Sequence, residues 1–197
     1  MKLCQHIKVG KTVAIKLSGF KINRTAYIIG NMLPDINCIY PAHRLSTTEN
    51  KMYKKLVKID NTDNYIIKSL KLGIINHYIC DYFCYAHVIE SIGMKHKRYE
   101  TNLYKYYTEH IGEITNIYKL KDLWKNRVGN TKDKYDNKYK LTLESIKYMS
   151  KSYKDIMETS INWELNTKQF SIDTEFIGFM SETINQLIMN RFIFAYA

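Results

Sequence analysis

Backbone breakers are scarce in this chain. Two prolines and eight glycines are spread over 197 residues. Between them run stretches such as DNKYKLTLESIKYMSKSYKDIME and TEFIGFMSETINQLIMNRFIF, with apolar residues three and four apart. That is the period of a helix with one buried side, and an architecture of many short strands would need more turn residues. The chain therefore reads as all-α, a compact bundle of about seven or more helices. A hydrophobic share of 45% is enough for a real core, and the length fits a single domain spanning 1–197.

Along the chain, an apolar helix is expected over about residues 5 to 17. In RTAYIIGNMLPDINCIYPAHRLS, Gly30, Pro34 and Pro41 predict a loop, with Asp35 poorly placed for a helix interior. A polar helix starts near Ser46–Thr48, and a longer apolar one runs from about Tyr65 to His87. Another follows Gly93. The N-terminal segment MKLCQHIKVGKTVAIKL has no long apolar run and no small-residue cleavage site. No stretch approaches the apolar length of a membrane span. Cys4, Cys38, Cys80 and Cys84 form neither zinc-knuckle spacing nor a disulfide framework. Cys80 and Cys84, one turn apart, suit packing. These features read as a reduced, cytoplasmic protein.

The formal net charge of +11 favours polyanionic partners: phospholipid headgroups, nucleic acid or a phosphate-bearing substrate. A basic solvated surface explains it as well, since much of it lies in Lys-rich runs such as KMYKK and NTKDKYDNKYK.

The apolar segment HYICDYFCYAH carries His77, Asp81 and His87, polar groups that are costly to bury unless something satisfies them. His77 and Asp81 are four apart and share one face of a helix; His96 and Glu100 repeat the spacing one helix later. About half a His-x-x-x-Asp/Glu pair is expected by chance in such a composition, and here two fall close together with a third histidine between them. His43 and Asp35 come from the Pro-bounded segment. Histidine nitrogens with carboxylate oxygens, three or four to an ion, are the donor mix of a zinc site. His110, in a polar stretch, reads as exposed.

The order Asp35 in GNMLPDI, His43 in AHR, the His-x3-Asp-x5-His of HYICDYFCYAH and the His-x3-Glu of HKRYE resembles the zinc-dependent phospholipase C family and its relatives, the single-strand-specific zinc nucleases. His6 stands where the family has an N-terminal histidine. The resemblance covers roughly residues 1 to 110 and implies a metal cluster between helices near one end of the bundle, with two zinc ions and room for a third. One zinc would be held by Asp35, His43 and His77. A second would be held by His87, His96 and Glu100, with Asp35 bridging the two. Asp81 would meet His6 at the third. Secreted members begin with a tryptophan that binds this third ion, whereas Trp124 and Trp163 lie far from the chain start. The third site could use the Met1 amino group, use another ligand or stay empty, and Glu90 is an alternative to Glu100.

The resemblance implies a zinc-dependent phosphoric ester hydrolase. Zinc lowers the pKa of a bound water from 15.7 to about 7 and clamps a phosphodiester; Asp35 would be the base that orients that water. The substrate would be a phospholipid headgroup or another phosphodiester, with peripheral membrane contact left open. A zinc nuclease, a catalytically inactive metal-stabilised binding or regulatory protein of the same fold, and a metal-free basic protein that binds nucleic acid are the alternatives.

Overall fold

A computed structural model describes residues 1–36, 45–60, 62–89, 93–110, 117–128, 138–160 and 167–189. Among them are nine α-helices and no strand: α1 (Leu3–Lys16), α2 (Arg24–Ile36), α3 (Leu45–Asp60), α4 (Tyr65–Tyr82), α5 (Tyr85–Val88), α6 (Met94–His110), α7 (Ile117–Val128), α8 (Lys138–Ser160) and α9 (Thr167–Met189). The all-α expectation holds.

The central helix is α4. Asn64 caps it, its side-chain oxygen accepting the amides of Ile66 and Ile67 at 2.9 and 3.3 Å. From Leu72 to Tyr82 nearly every residue is buried, including Asn76, His77 and Asp81. A helix apolar almost all round must be wrapped on every side, and α1, α2, α3, α5 and α9 pack against it.

The most extensive of these contacts, with α2, depends on glycine. A Cβ on Gly30 would lie 2.2 Å from the Leu70 carbonyl oxygen, and one on Gly73 would lie 2.0 Å from that of Tyr27. The two helices therefore meet backbone to backbone, an approach open only to residues without a side chain. Where α2 crosses α4, Asn31 reaches the central helix: Asn76 donates to the Asn31 side-chain oxygen at 2.7 Å, and Asn185 of α9 donates to Asn76 at 2.8 Å.

Two expectations are corrected. The stretch expected as a loop around Gly30 and Pro34 is helical through Ile36. Asn23 caps this helix by accepting the Ala26 amide. Pro34 falls in its last turn, where it forgoes one helical hydrogen bond; burial of Ala26, Tyr27, Gly30, Asn31 and Pro34 outweighs that loss. Local breaker signals lost to tertiary packing.

The helix expected from Tyr65 to His87 instead stops at Tyr82. Phe83 turns into the core, stacked on Phe176 and edge-on to Tyr153, with centroids 5.6 Å away in both cases. Cys84 is extended, and α5 starts in a new direction. The aromatics of α9, Phe176 and Phe179, are core residues, as is Tyr107. On α3, Lys51 and Lys54 are exposed while Met52 and Leu56 are buried, the expected solvated face. Most of the second Lys-rich run lies outside the described residues.

Candidate metal centre

Five helices deliver two groups of side chains that could hold a metal ion. The first group is His6 from α1, Asp35 from the end of α2 and His77 from α4; the second is His87 from α5 with His96 and Glu100 from α6. Within each group the ligand atoms lie within 4.8 Å of one another.

In the first group the His6 and His77 rings stack with centroids 3.8 Å apart. His77 Nδ1 donates to the Asn31 carbonyl at 2.8 Å. That bond fixes the tautomer and leaves the Nε2 lone pair facing the site, the usual bracing of a metal-ligating histidine. Asp35 Oδ1 stands 3.6 Å from His77 Nε2, and Oδ2 stands 3.8 Å from His6 Nε2. Burial first, then the neighbouring His77, hold His6 well below the ordinary histidine pKa, so its ring is neutral.

In the second group, Glu100 Oε1 lies 2.8 Å from His96 Nε2 and 3.3 Å from His87 Nε2. His87 reaches it because the helix breaks. On a continued α4 the six residues from Asp81 to His87 would carry its side chain about 9 Å along the axis and round to the other side. After the break, His87 Nε2 is 3.5 Å from Asp81 Oδ1.

Asp81 lies between the groups. Its Oδ2 is 3.1 Å from His77 Nε2, and its Oδ1 is 3.3 Å from His6 Nε2 as well as near His87. The Met1 amino group also enters, 2.7 Å from Asp81 Oδ1, 2.7 Å from His87 Nε2 and 3.0 Å from Glu100 Oε1. Burial would raise the Asp81 pKa, but the Met1 ammonium and the three histidines together hold it well below the ordinary carboxylate range. Glu100 is likewise depressed: burial opposes ionisation, and His87, His96 and the ammonium overcome it.

The side chains fit a metal on a separate ground. His6 is completely buried, and neither ring nitrogen makes a hydrogen bond among the described residues. A buried imidazole with no well-formed hydrogen bond, only carboxylates 3.3 and 3.8 Å from Nε2, is costly. Facing Asp35 and Asp81, it has the surroundings of a ligand rather than of a structural histidine. Neutral imidazoles with carboxylates are a zinc donor set.

A model of the zinc-dependent phospholipase C family matches residues 5–187. The chain belongs to that family. Comparisons with curated proteins and with solved structures gave no match. The family match reaches well past the first 110 residues that carry the motifs, so α8 and most of α9 are part of the family fold. In this zinc-dependent phospholipase C family member, seven of the eight expected ligands are gathered at one place: His6, Asp35, His77, Asp81, His87, His96 and Glu100. The eighth, His43, lies outside the described residues, as does Glu90.

The side chains group differently from the sets that the resemblance implied. The position between the two groups is taken by Asp81 rather than Asp35, and His6 stands with His77. The Cys80 thiol is buried 3.4 Å from the Ser181 hydroxyl, and burial pushes it up to about 12, so it packs rather than ligates. His110, expected to be exposed, is half-buried and stacked on Tyr106 at 4.1 Å.

Two supporting groups were not found from sequence. The Asn31 carbonyl is backbone and leaves no signal in residue type. Asp173 does leave one, as an acid on the apolar face of α9 between Phe170 and Phe176.

Proposed function

We propose that the protein is a phosphoric ester hydrolase of the phospholipase C type, acting through zinc held by the two side-chain groups. The carrying observation is the convergence of four histidines and three carboxylates from helices far apart in sequence, with Asp81 within 3.5 Å of a histidine of each group. His6, Asp35, His77 and, by resemblance, His43 would hold one ion; His87, His96 and Glu100 would hold another, with Asp81 between them and the Met1 amino group within reach. Zinc so bound supplies Lewis-acid polarisation of a phosphoryl oxygen and a water acidified to near neutral pH.

The chain's own residues divide the work. Burial holds His6 and His87 below the ordinary histidine range, which favours their neutral rings, and the bond from His77 Nδ1 to the Asn31 carbonyl leaves its Nε2 aimed inward. Among the described candidate ligands Asp35 is the most exposed, its side chain 27% accessible against 0% for Asp81. A carboxylate at the solvent edge of the site is placed to take the proton of an attacking water. The substrate class is a phosphodiester, of which a phospholipid headgroup is one example.

The test is hydrolysis of bis(4-nitrophenyl) phosphate and of phosphatidylcholine by protein whose zinc content has been measured. Turnover that chelation abolishes, and that Asp35→Asn lowers by about 100-fold or more with zinc still bound, supports the reading. Stoichiometric zinc with no turnover of either ester would favour a protein stabilised by its metal. No zinc uptake would sink the proposal.

A further inference from the structure

The second group stands on little structure of its own. His87 is carried by a four-residue helix, and His96 and Glu100 lie in the first two turns of α6. Both pieces are tied to one side chain on α9. Asp173 is completely buried. Its Oδ2 accepts the Tyr85 backbone amide at 3.1 Å and the Tyr99 hydroxyl at 2.9 Å; its Oδ1 accepts the Tyr153 hydroxyl of α8 at 2.5 Å. Tyr85 opens α5 two residues before His87, and Tyr99 immediately precedes Glu100. One carboxylate oxygen thus grips both elements that carry the second group, and the other is anchored in the core. Tyr85 and Tyr99 also touch, with centroids 5.9 Å apart, and Tyr99 packs on Phe170, one turn before Asp173 on α9.

Resting on the metal reading above, we propose that Asp173 is the positioning residue of the second ligand group. It fixes α5 and α6 relative to one another so that His87, His96 and Glu100 converge before any metal arrives. Outer partners of this kind are commonly worth about 10- to 100-fold in metal affinity. Here the support acts on the backbone that carries the ligands rather than on a ligand ring.

The measurement is a zinc titration of metal-free full-length protein against a chromogenic chelator, with His87→Ala identifying the step that belongs to the second group. Asp173→Leu keeps the branched shape with bulkier ends and removes both acceptors, and should weaken that step roughly 10- to 100-fold while leaving the first step unchanged. Asp173→Asn keeps one oxygen for Tyr85 and Tyr99 and should restore it. Tyr153→Phe, which deletes only the bond to Oδ1, should leave it alone. If the leucine variant does not fold, Tyr99→Phe removes a single oxygen and should weaken the same step severalfold. Amide exchange at Tyr85–Val88 in the metal-free protein reads the anchoring directly and should speed up in the leucine and Tyr99→Phe variants. Equal weakening of both steps, absence of rescue by asparagine, or wild-type affinity in the leucine or Tyr99→Phe variant would reduce Asp173 to an ordinary core hydrogen-bond acceptor. Wild-type protein that takes up no zinc would overturn the metal reading itself, and this inference with it.

Discussion

The two halves of the centre are held by different means. His6, Asp35 and His77 stand on three long helices, two of which touch backbone to backbone at Gly30 and Gly73. His87, His96 and Glu100 stand on a four-residue helix and the start of another, tied down by side-chain hydrogen bonds. The first arrangement has no slack, because two carbonyl oxygens occupy the space a methyl group would need. The second can give, because a hydrogen bond lengthens before it breaks. The site thus has one half whose ligand positions are set by backbone packing and one whose positions are set by hydrogen bonds.

The largest expected effect tests the fixed half. Gly73→Ala and Gly30→Ala each place a methyl group about 2 Å from a backbone oxygen, and neither helix can retreat without uncovering α4. Overpacking against backbone should cost more than about 3 kcal/mol, seen in thermal melts as loss of the cooperative transition or a fall of roughly 6 °C or more. Gly19→Ala, where nothing lies within 4 Å of the added carbon, should melt like wild type. A small shift for Gly73→Ala would show that the crossing yields, and the contrast between the halves would go.

Asp81 joins the halves, so its loss should not respect the division. Asp81→Asn should abolish zinc uptake by both groups, measured by elemental analysis after dialysis, because it removes a buried charge facing His6, His77 and His87. His96→Ala should remove the second equivalent alone. If Asp81→Asn also loses only one equivalent, Asp81 belongs to one group and the centre is two separate sites.

The same division explains what the sequence revealed. The pairs His77/Asp81 and His96/Glu100 were legible because both partners lie on one helix, where spacing alone sets the geometry. Asp35 was legible as a candidate ligand chiefly through the family pattern, and its local structure was misread: Pro34 signals a break, whereas the packing of α2 on α4 is invisible to a local reading. The turn at Phe83–Cys84 was missed for the matching reason, that Phe83 is drawn into a core made by α8 and α9, more than 60 residues away. Asp173 offered a signal of type, an acid in an apolar helix face, but its three partners come from α5, α6 and α8 and have no common spacing.

A middle-sized effect separates the supports. Asn76 links Asn31 on α2 to Asn185 on α9 inside the first half. Asn76→Leu leaves the Asn31 oxygen and an Asn185 hydrogen without those partners, at a cost of about 2–4 kcal/mol. Because Asn31 also holds His77 through its carbonyl, the first zinc step should weaken and the second should not. Weakening of the second step instead would mean that the ladder braces the whole bundle rather than one half.

The smallest effect is a pH dependence belonging to the adjustable half. Burial pushes the Asp173 carboxyl up to about 7, against the pull of its hydrogen bonds to Tyr153, Tyr85 and Tyr99. In the unfolded chain it ionises near 3.8, so between these values the folded state holds a proton that the unfolded state releases. The stability this group contributes is therefore complete below about pH 4 and lost as pH rises through about 7. His6, His87, Asp81 and Glu100, all held below their ordinary values, act in the opposite sense, but they are present in both wild type and Asp173→Asn and cancel in the comparison. The asparagine variant, neutral throughout, should gain on metal-free wild type by a few degrees, roughly 1 kcal/mol or more, between pH 4 and pH 8. A difference that stays level across that range would mean the carboxylate remains ionised inside the fold, held by its three donors. The grip on α5 and α6 would then be charge-assisted and stronger than a neutral acid provides, and the second half would be less adjustable than its short helices imply.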